Sequence, residues 1–293
     1  MLKHLKDHER FEIEELAKSQ RRTHELGMGP LGDNIFKLLR TLNIQLVRYP
    51  IPASSANQNP FSALYVASNE GGHTMRYIGL NTDDYFDKQI FFIAHELFHH
   101  VEEMSEMVVC RIEDDPNELR EARANLFAAE FLLPAESLMY EIKRKNNGGA
   151  RLHQWRHSDL LRLIAEIHCD YRLPFKAIVR RLDEIESIKS SQFEALMAED
   201  PRNPAGMYWK YGMVINPSVF EKLNTRTREI GADGENLNKL IENFEASLIS
   251  RAELSEDLAL FHKTLEDFGL EDSIAAEEDK DLAMLYAEES DED

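Results

Sequence analysis

Cysteine is scarce in this sequence, with Cys110 and Cys169 alone among 293 residues and no Cys-x-x-Cys pair. Two cysteines cannot build a disulfide framework, so a reducing compartment is the simplest interpretation. Long apolar runs are missing as well, since stretches such as Ile90–Ala94 are far shorter than the ~20 residues that span a bilayer. Met1–Gln20 is a charged mixture without the apolar segment of a signal peptide. We therefore expect a soluble, cytoplasmic protein.

Basic residues are also in deficit, because 34 Lys and Arg stand against 54 Asp and Glu, a formal net charge of -20. The imbalance is greatest in residues 266–293, where 13 acidic residues accompany Lys280 alone. This charge argues against direct nucleic-acid binding and against a membrane partner. With 43% hydrophobic residues the chain can still build a packed core, which excludes global disorder.

The order of the predicted elements indicates an α+β fold with a small antiparallel or mixed sheet, followed by a mostly helical C-terminal region. In the first half, helices are predicted over 9–26, 34–42, 85–104 and 118–131, and strands over 44–49, 62–68 and 73–80. After a break at Asn146–Gly149, helices are predicted over 160–167, 174–185, 217–248 and 252–268, and a strand over 207–215.

These elements predict four parts of the chain. A core domain covers 1–150, and a helical segment over 151–198 completes or flanks it. A helical extension follows over 199–265, and an acidic tail, expected to be flexible, covers 266–293.

One motif carries chemistry, because His95-Glu96-Leu97-Phe98-His99 has the pattern H-E-x-x-H inside a predicted helix. Residues four apart lie on one helical face, so both imidazoles can reach the same zinc ion. Glu96 follows the first histidine, where its carboxylate can act on water as a general base. The apolar run before the motif indicates a buried helix, and buried polar groups need a compensating partner. We expect one zinc ion per chain.

A catalytic zinc ion usually has three protein ligands and an open fourth position. The predicted helix over 118–131 offers three glutamates for the third ligand. Glu121 is favoured because it shares a helical face with Asn125 and with small residues that allow close approach of the H-E-x-x-H helix. Asn125, one turn later, could orient a ligand histidine by a hydrogen bond. Glu118 and Glu130 remain competing third ligands.

Several other side chains near the motif are weaker candidates. His73 and Tyr77 lie on the strand before the motif. If this is an edge strand, it could pair with the substrate backbone, and either side chain could stabilise an oxyanion. Packing across the sheet is the simpler interpretation for both side chains. His100 is rotated about 100° from His99 and is expected to be a structural hydrogen-bonding residue. Cys110 could bind the metal as a thiolate, but a buried free thiol is the simpler expectation.

The helices predicted over 160–167 and 174–185 are similar in outline to a helix-turn-helix, with basic residues nearby at Arg172, Lys176, Arg180 and Arg181. DNA binding needs a continuous basic face, and acidic residues in the same segments dilute this one. We therefore expect these helices to complete the first domain or to form a docking surface.

The sequence resembles the ImmA/IrrE family of metallopeptidases in three places. Tyr77–Asn81 and Phe91–His99 are similar to the family's strand ending in Asn and to its F-x-I-A-H-E-L-G-H pattern, with Phe98 where the family often has Gly. Glu121–Pro134 is similar to the family's E-x-x-A-N-x-F-A-x-x-L-L-x-P pattern. Tyr171–Leu182 resembles, more weakly, the helical segment after the family's peptidase core.

This resemblance implies a zincin-like core with two histidines and a glutamate on zinc. It also implies a protein substrate, typically a helix-turn-helix repressor or an antitoxin, cut in stress, mobile-element or toxin–antitoxin settings. We therefore expect a zinc-dependent endopeptidase. Two other functions stay open: a regulatory protein that binds a repressor or DNA with cleavage secondary, and a toxin or defence protease restrained by a partner.

Overall fold

The computed structural model describes residues 5–52, 61–70, 73–102, 108–110, 118–232, 234–261 and 263–270. The chain divides into two compact units, Met1–Glu229 and Ile230–Asp293. The first unit carries the sheet, the candidate site and most of the helices.

Four strands of the first unit form a small mixed sheet: β1 (Ile44–Tyr49), β2 (Ala63–Glu70), β3 (His73–Asn81) and β4 (Val108–Cys110). They lie in the order β4-β2-β3-β1, with β2 antiparallel to β3 and β4, and β1 parallel to β3. The first three strands lie where the alternating sequence predicts them. The short strand β4 was not predicted.

The described helices of the first unit are α1 (Asp7–Thr23), α2 (Asn34–Thr41), α3 (Phe86–Val101), α4 (Glu118–Leu132), α5 (Ala135–Lys145), α6 (His157–Tyr171), α7 (Phe175–Glu184), α8 (Ser190–Met197), α9 (Met207–Ile215) and α10 (Pro217–Leu223). Pro134 separates α4 from α5, because a proline lacks the amide that would continue the first helix. This arrangement confirms the predicted α+β fold with a helical C-terminal region.

Helix α3 lies at the centre of the first unit, where it packs against β2, β3 and α4. Most of its apolar residues are buried, and Ala124 and Ala128 of α4 have no exposed surface, so the two helices approach closely. Phe98 is fully buried, and the centroid of its ring lies 5.7 Å from that of Phe127. The bulky side chain therefore belongs to the core.

The strand predicted over 207–215 is wrong, because this segment is the helix α9. Its aromatic and β-branched residues have strand propensity, but tertiary packing decides the outcome. Tyr208 and Gly212, four residues apart, are the buried residues of α9. A Cβ atom at Gly212 would lie 2.2 Å from the ring of Phe220, so glycine allows α9 and α10 to meet.

The single helix predicted over 217–248 is also wrong, because α10 ends at Leu223. Residues 224–229, which we call the strap, instead run beside the residues that lead into α3. The amide of Phe86 donates to the carbonyl of Thr225 and the amide of Arg228 to that of Thr82, both at 2.9 Å. These bonds hold the strap beside the start of α3, and they occupy backbone groups that a helix would need for its own hydrogen bonds.

The second unit contains β5 (Gly231–Ala232), α11 (Gly234–Glu245), α12 (Arg251–Ala259) and a 3₁₀ turn over Glu266–Phe268. Ser250 caps α12, since its hydroxyl accepts from the amide of Glu253 while that carboxylate accepts from the Ser250 amide. Most of the predicted acidic tail lies outside the described residues. Within the ranges that the structure describes, no helix is long and apolar enough to cross a membrane.

Candidate metal centre

Two packed helices bring the predicted ligands together. His95 and His99 lie one turn apart on α3, and both are fully buried. Glu121 projects from α4, with 13% of its side chain exposed. Its carboxylate oxygens lie 3.1 Å from Nε2 of His95 and 3.7 Å from Nε2 of His99. The three candidate donor atoms all lie within 4.8 Å of one another.

The spacing of this His-His-Glu group suits a zinc ion. Zinc binds imidazole nitrogen at ~2.0–2.1 Å and carboxylate oxygen at ~2.0–2.2 Å, so tetrahedral geometry places neighbouring donor atoms about 3.3 Å apart. The two separations to Glu121, 3.1 and 3.7 Å, lie on either side of this value. Two imidazoles and one carboxylate are also a donor set of catalytic zinc sites. The residues therefore fit the implied metal.

Asn125 fixes the orientation of His95. Its amide oxygen lies 3.2 Å from Nδ1 of His95, so Nδ1 carries the proton and Nε2 faces the ligand group. Burial lowers the pKa of His95, but the hydrogen bond with Glu121 and the charges of Glu96 and Glu121 outweigh it, so the net shift is upward. A cation at this place is therefore favoured electrostatically.

His99 has the opposite shift. Burial, together with the charges of His95 and Arg120, lowers its pKa to about 3. The imidazole is therefore neutral near pH 7, as a metal ligand must be. Nη2 of Arg120 lies 3.3 Å from Nδ1 of His99, so this guanidinium sits behind the second histidine. No sequence pattern pointed to Arg120, apart from its position next to Glu121.

Glu96 is fully buried and follows His95 directly on α3. Its negative charge contributes to the raised pKa of His95, which places the carboxylate close to the ligand group. The general-base role of Glu96 stays a prediction.

The other candidate ligands lie elsewhere or outside the described side chains. Glu130 is buried and pairs with the guanidinium of Arg181, and both its oxygens accept from the amide of Ala135 at 3.2 Å. It therefore holds α4, α5 and α7 together. The side chains of Glu118 and Cys110 are not among those described.

The strand β3 is not the edge strand that the sequence suggested, because it lies between β2 and β1. From Arg76 to Leu80, β3 pairs with β1 on one side and with β2 on the other, so a substrate strand cannot add to that part of it. Tyr65, which contacts α3, stands opposite Ile78, so both face the helix and Tyr77 lies on the other face of the sheet. The Tyr77 hydroxyl donates to the sulfur of Met75 at 3.4 Å.

The structure does not bring Tyr77 to the ligand group. His73 is the first residue of β3, and its side chain is outside those described. His100 turns from the ligand group toward β2, where its Nδ1 lies 3.0 Å from the hydroxyl of Tyr65.

Helices α6 and α7 do not display a continuous basic face. Arg181 is buried against Glu130 and Glu184, and Arg172 pairs with Asp33. Apolar residues from both helices belong to the main core. The geometry therefore favours helices that complete the domain.

Asn81 is a positioning residue whose role the sequence analysis missed. Its side-chain amide donates to the carbonyls of Ile51 and Phe61, and its oxygen accepts from the amides of Ile51 and Asp83. These four bonds fix the turn between β3 and α3. An Asn between a strand and a helix is the signal that could have indicated such a turn.

Comparison with known proteins agrees with this geometry. Residues 41–183 match a family model described as Peptidase_M78, IrrE N-terminal-like domain. This stretch contains α3 and α4, and with them all three residues of the His-His-Glu group. A search of curated proteins gave no match. The family match supports a peptidase. It also confirms the predicted resemblance, since residues 41–183 match the family model of the IrrE N-terminal-like domain.

Proposed function

We propose that the chain is a zinc-dependent endopeptidase. The observation that carries this proposal is the convergence of His95, His99 and Glu121 from two packed helices. These three side chains form a donor set that leaves a fourth position open on zinc. The IrrE N-terminal-like domain supports a peptidase on independent grounds.

When bound, a zinc ion would lower the pKa of water toward ~7 and polarise a peptide carbonyl. Glu96 would take a proton from the attacking water on its carboxylate and deliver it to the nitrogen of the leaving amine. Asn125 keeps the proton of His95 on Nδ1, which directs Nε2 to the ligand group. Burial of the site lowers the local dielectric and strengthens each of these interactions.

For the substrate we propose a helix-turn-helix repressor or an antitoxin in the cytoplasm. The resemblance to ImmA/IrrE peptidases supports this choice. The net charge of -20 supports it as well, because DNA-binding proteins are basic and opposite charges speed association.

The test compares the wild type with Glu96→Gln, which keeps size and shape but removes the base. Both proteins are expressed in cells, and new protein N-termini are identified by mass spectrometry. We expect Glu96→Gln to retain zinc and to cleave ~10²–10⁴-fold more slowly, the usual contribution of a general base. Glu136→Gln is the matched control, because that carboxylate is largely exposed and contacts Lys18 on α1.

The outcomes separate the candidate functions. New N-termini in a helix-turn-helix protein, absent with Glu96→Gln, support the proposal. New N-termini spread over many proteins keep the peptidase but point to a toxin or defence protease. Equal N-termini in wild type and Glu96→Gln, together with an unchanged cellular phenotype, would refute proteolysis and favour a binding protein.

A further inference from the structure

Most of the described side-chain and backbone bonds to the first turn of α3 come from residues beyond the match to the IrrE N-terminal-like domain. The family match ends at residue 183, whereas the contacts come from Arg202 and from the strap at 224–229. All of these residues belong to the first compact unit.

The strongest of these contacts is a buried ion pair. Asp87, in the first turn of α3, has no exposed side-chain surface, and both its oxygens accept from Nη2 of Arg202 at 2.7 and 2.8 Å. Arg202 also donates to the side chain of Asn224, and its guanidinium lies 4.1 Å from the ring centroid of Tyr85. A buried carboxylate needs such a partner, so Arg202 determines where the first turn of α3 can lie.

A second partner of Asp87 comes from α6. Nε2 of His168 lies 3.3 Å from Asp87 Oδ2, and Nδ1 of His168 bonds to the hydroxyl of Tyr208 on α9. The phenol donates to Nδ1, so Nε2 carries the proton toward Asp87. Helix α6, which lies inside the matched residues 41–183, thereby also contacts the start of α3, and Tyr208 of α9 orients its histidine.

The strap adds backbone and side-chain bonds of its own to the start of α3. Besides the backbone bond from Phe86 to Thr225, Nε2 of Gln89 donates to the hydroxyl of Thr227 at 3.0 Å. Asp83, three residues before α3, accepts from Arg226 at 2.9 Å and from Arg228 at 2.8 Å. The first turn of α3 is thus held by Arg202 and by the strap.

We propose that Arg202 and the strap are positioning elements of the candidate metal centre, an inference that rests on the zinc site proposed above. His95 lies eight residues after Asp87, about 12 Å along the helix. A 5° tilt of α3 about its first turn would move His95 by about 1 Å. Metal ligands tolerate ~0.2 Å in bond length, so this tilt would separate the histidines from Glu121.

The experiment measures zinc affinity by competition with a chromophoric chelator, and records the visible spectrum of the Co²⁺-loaded protein. Arg202→Met removes the guanidinium and keeps most of the side-chain length, whereas Arg202→Lys keeps the charge. We expect Arg202→Met to weaken zinc binding at least ~10-fold, the lower end of the loss seen when ligands lose the groups that orient them, and to alter the Co²⁺ band. Arg202→Lys is expected to recover part of both.

The matched control is Leu196→Ala, a fully buried position on α8, which packs on α6 and α7. It should lower the melting temperature at least as much as Arg202→Met and leave zinc affinity and the Co²⁺ spectrum unchanged. Equal loss of zinc in Leu196→Ala, or affinity within threefold of wild type in Arg202→Met, overturns the proposal.

Two further results remain decisive. If Arg202→Met does not fold, Thr227→Val replaces it, because it removes the contact with Gln89 at nearly constant volume. We expect at least a threefold loss of zinc affinity there, and unchanged affinity overturns the proposal. If the wild type binds no stoichiometric zinc, or His95→Ala binds it equally well, the metal site itself is refuted, and the positioning proposal with it.

Discussion

Replacing Glu130 by glutamine tests which glutamate of α4 binds the metal. Glu121 and Glu130 are the two candidate third ligands whose side chains the structure describes. Glu130 has no exposed side-chain surface and faces Arg181, which is equally buried. We expect Glu130→Gln to destabilise the fold and to leave zinc binding unchanged. Glu121→Gln should do the reverse, because its carboxylate lies 3.1 Å from His95 and is partly exposed.

The expected size follows from the contacts. Removing one partner of a buried ion pair costs ~3–5 kcal/mol. Arg181 keeps a second carboxylate, Glu184, at 2.6 Å, and the new amide oxygen can still accept a hydrogen bond, so the loss should lie near ~3 kcal/mol. For a unit of this size, 1 kcal/mol lowers the melting temperature by about 2–4 °C, which gives a decrease of roughly 6–12 °C.

The assay combines thermal and urea unfolding with zinc content measured by mass spectrometry. Both variants are purified with excess zinc and dialysed against the same buffer. A Glu130→Gln protein that melts like wild type but holds no zinc would refute our assignment and make Glu130 the third ligand. Loss of zinc in both variants would show that α4 must be intact along its whole length for the site to form.

Two further predictions concern side chains around the metal helix. Asn125→Ala should weaken zinc binding ~10–100-fold, because His95 loses the bond that fixes its Nδ1 proton, and chelator competition measures this; unchanged affinity would show that Asn125 is dispensable. Burial raises the pKa of Asp87, but hydrogen bonds and charges from His168 and Arg202 outweigh it, so the folded pKa lies below the ordinary ~3.9. The ionised Asp87 carboxylate therefore stabilises the fold above about pH 4, and this stabilisation is lost as the pH falls through the lower folded pKa. Between about pH 4 and 2, the free energy of unfolding measured in urea should depend less on pH in Asp87→Asn than in the wild type. An equal pH dependence in both proteins would contradict that pKa shift.

Local sequence patterns were sufficient to predict those elements whose structure depends on their own residues. The apolar run before His95 predicted a buried helix, and the four-residue spacing placed both histidines on one face. Small residues at Ala124 and Ala128 predicted the close approach of α4. The family resemblance and the α+β fold followed from the same segments.

Long-range pairings could not be predicted in this way. The partner of Glu130 is Arg181, 51 residues later, and no periodicity links them. The order of strands is also absent from local patterns, so β3 was expected at an edge although β1 pairs beside it. In the segment 207–215, strand propensity was misleading because packing against Phe220 selected a helix.

Because Arg202 and the strap follow the proposed ligands in the chain, the residues that hold α3 are synthesised after the ligands themselves. A ribosome makes His95, His99 and Glu121 about 80 residues before it reaches Arg202, and the strap ends later still. At ~5–20 residues per second, all three side chains exist for roughly 4–16 s before Arg202 is added. We therefore expect nascent chains to bind zinc poorly during that interval. Termination between 183 and 201 would release a protein with every ligand but without Arg202 and the strap.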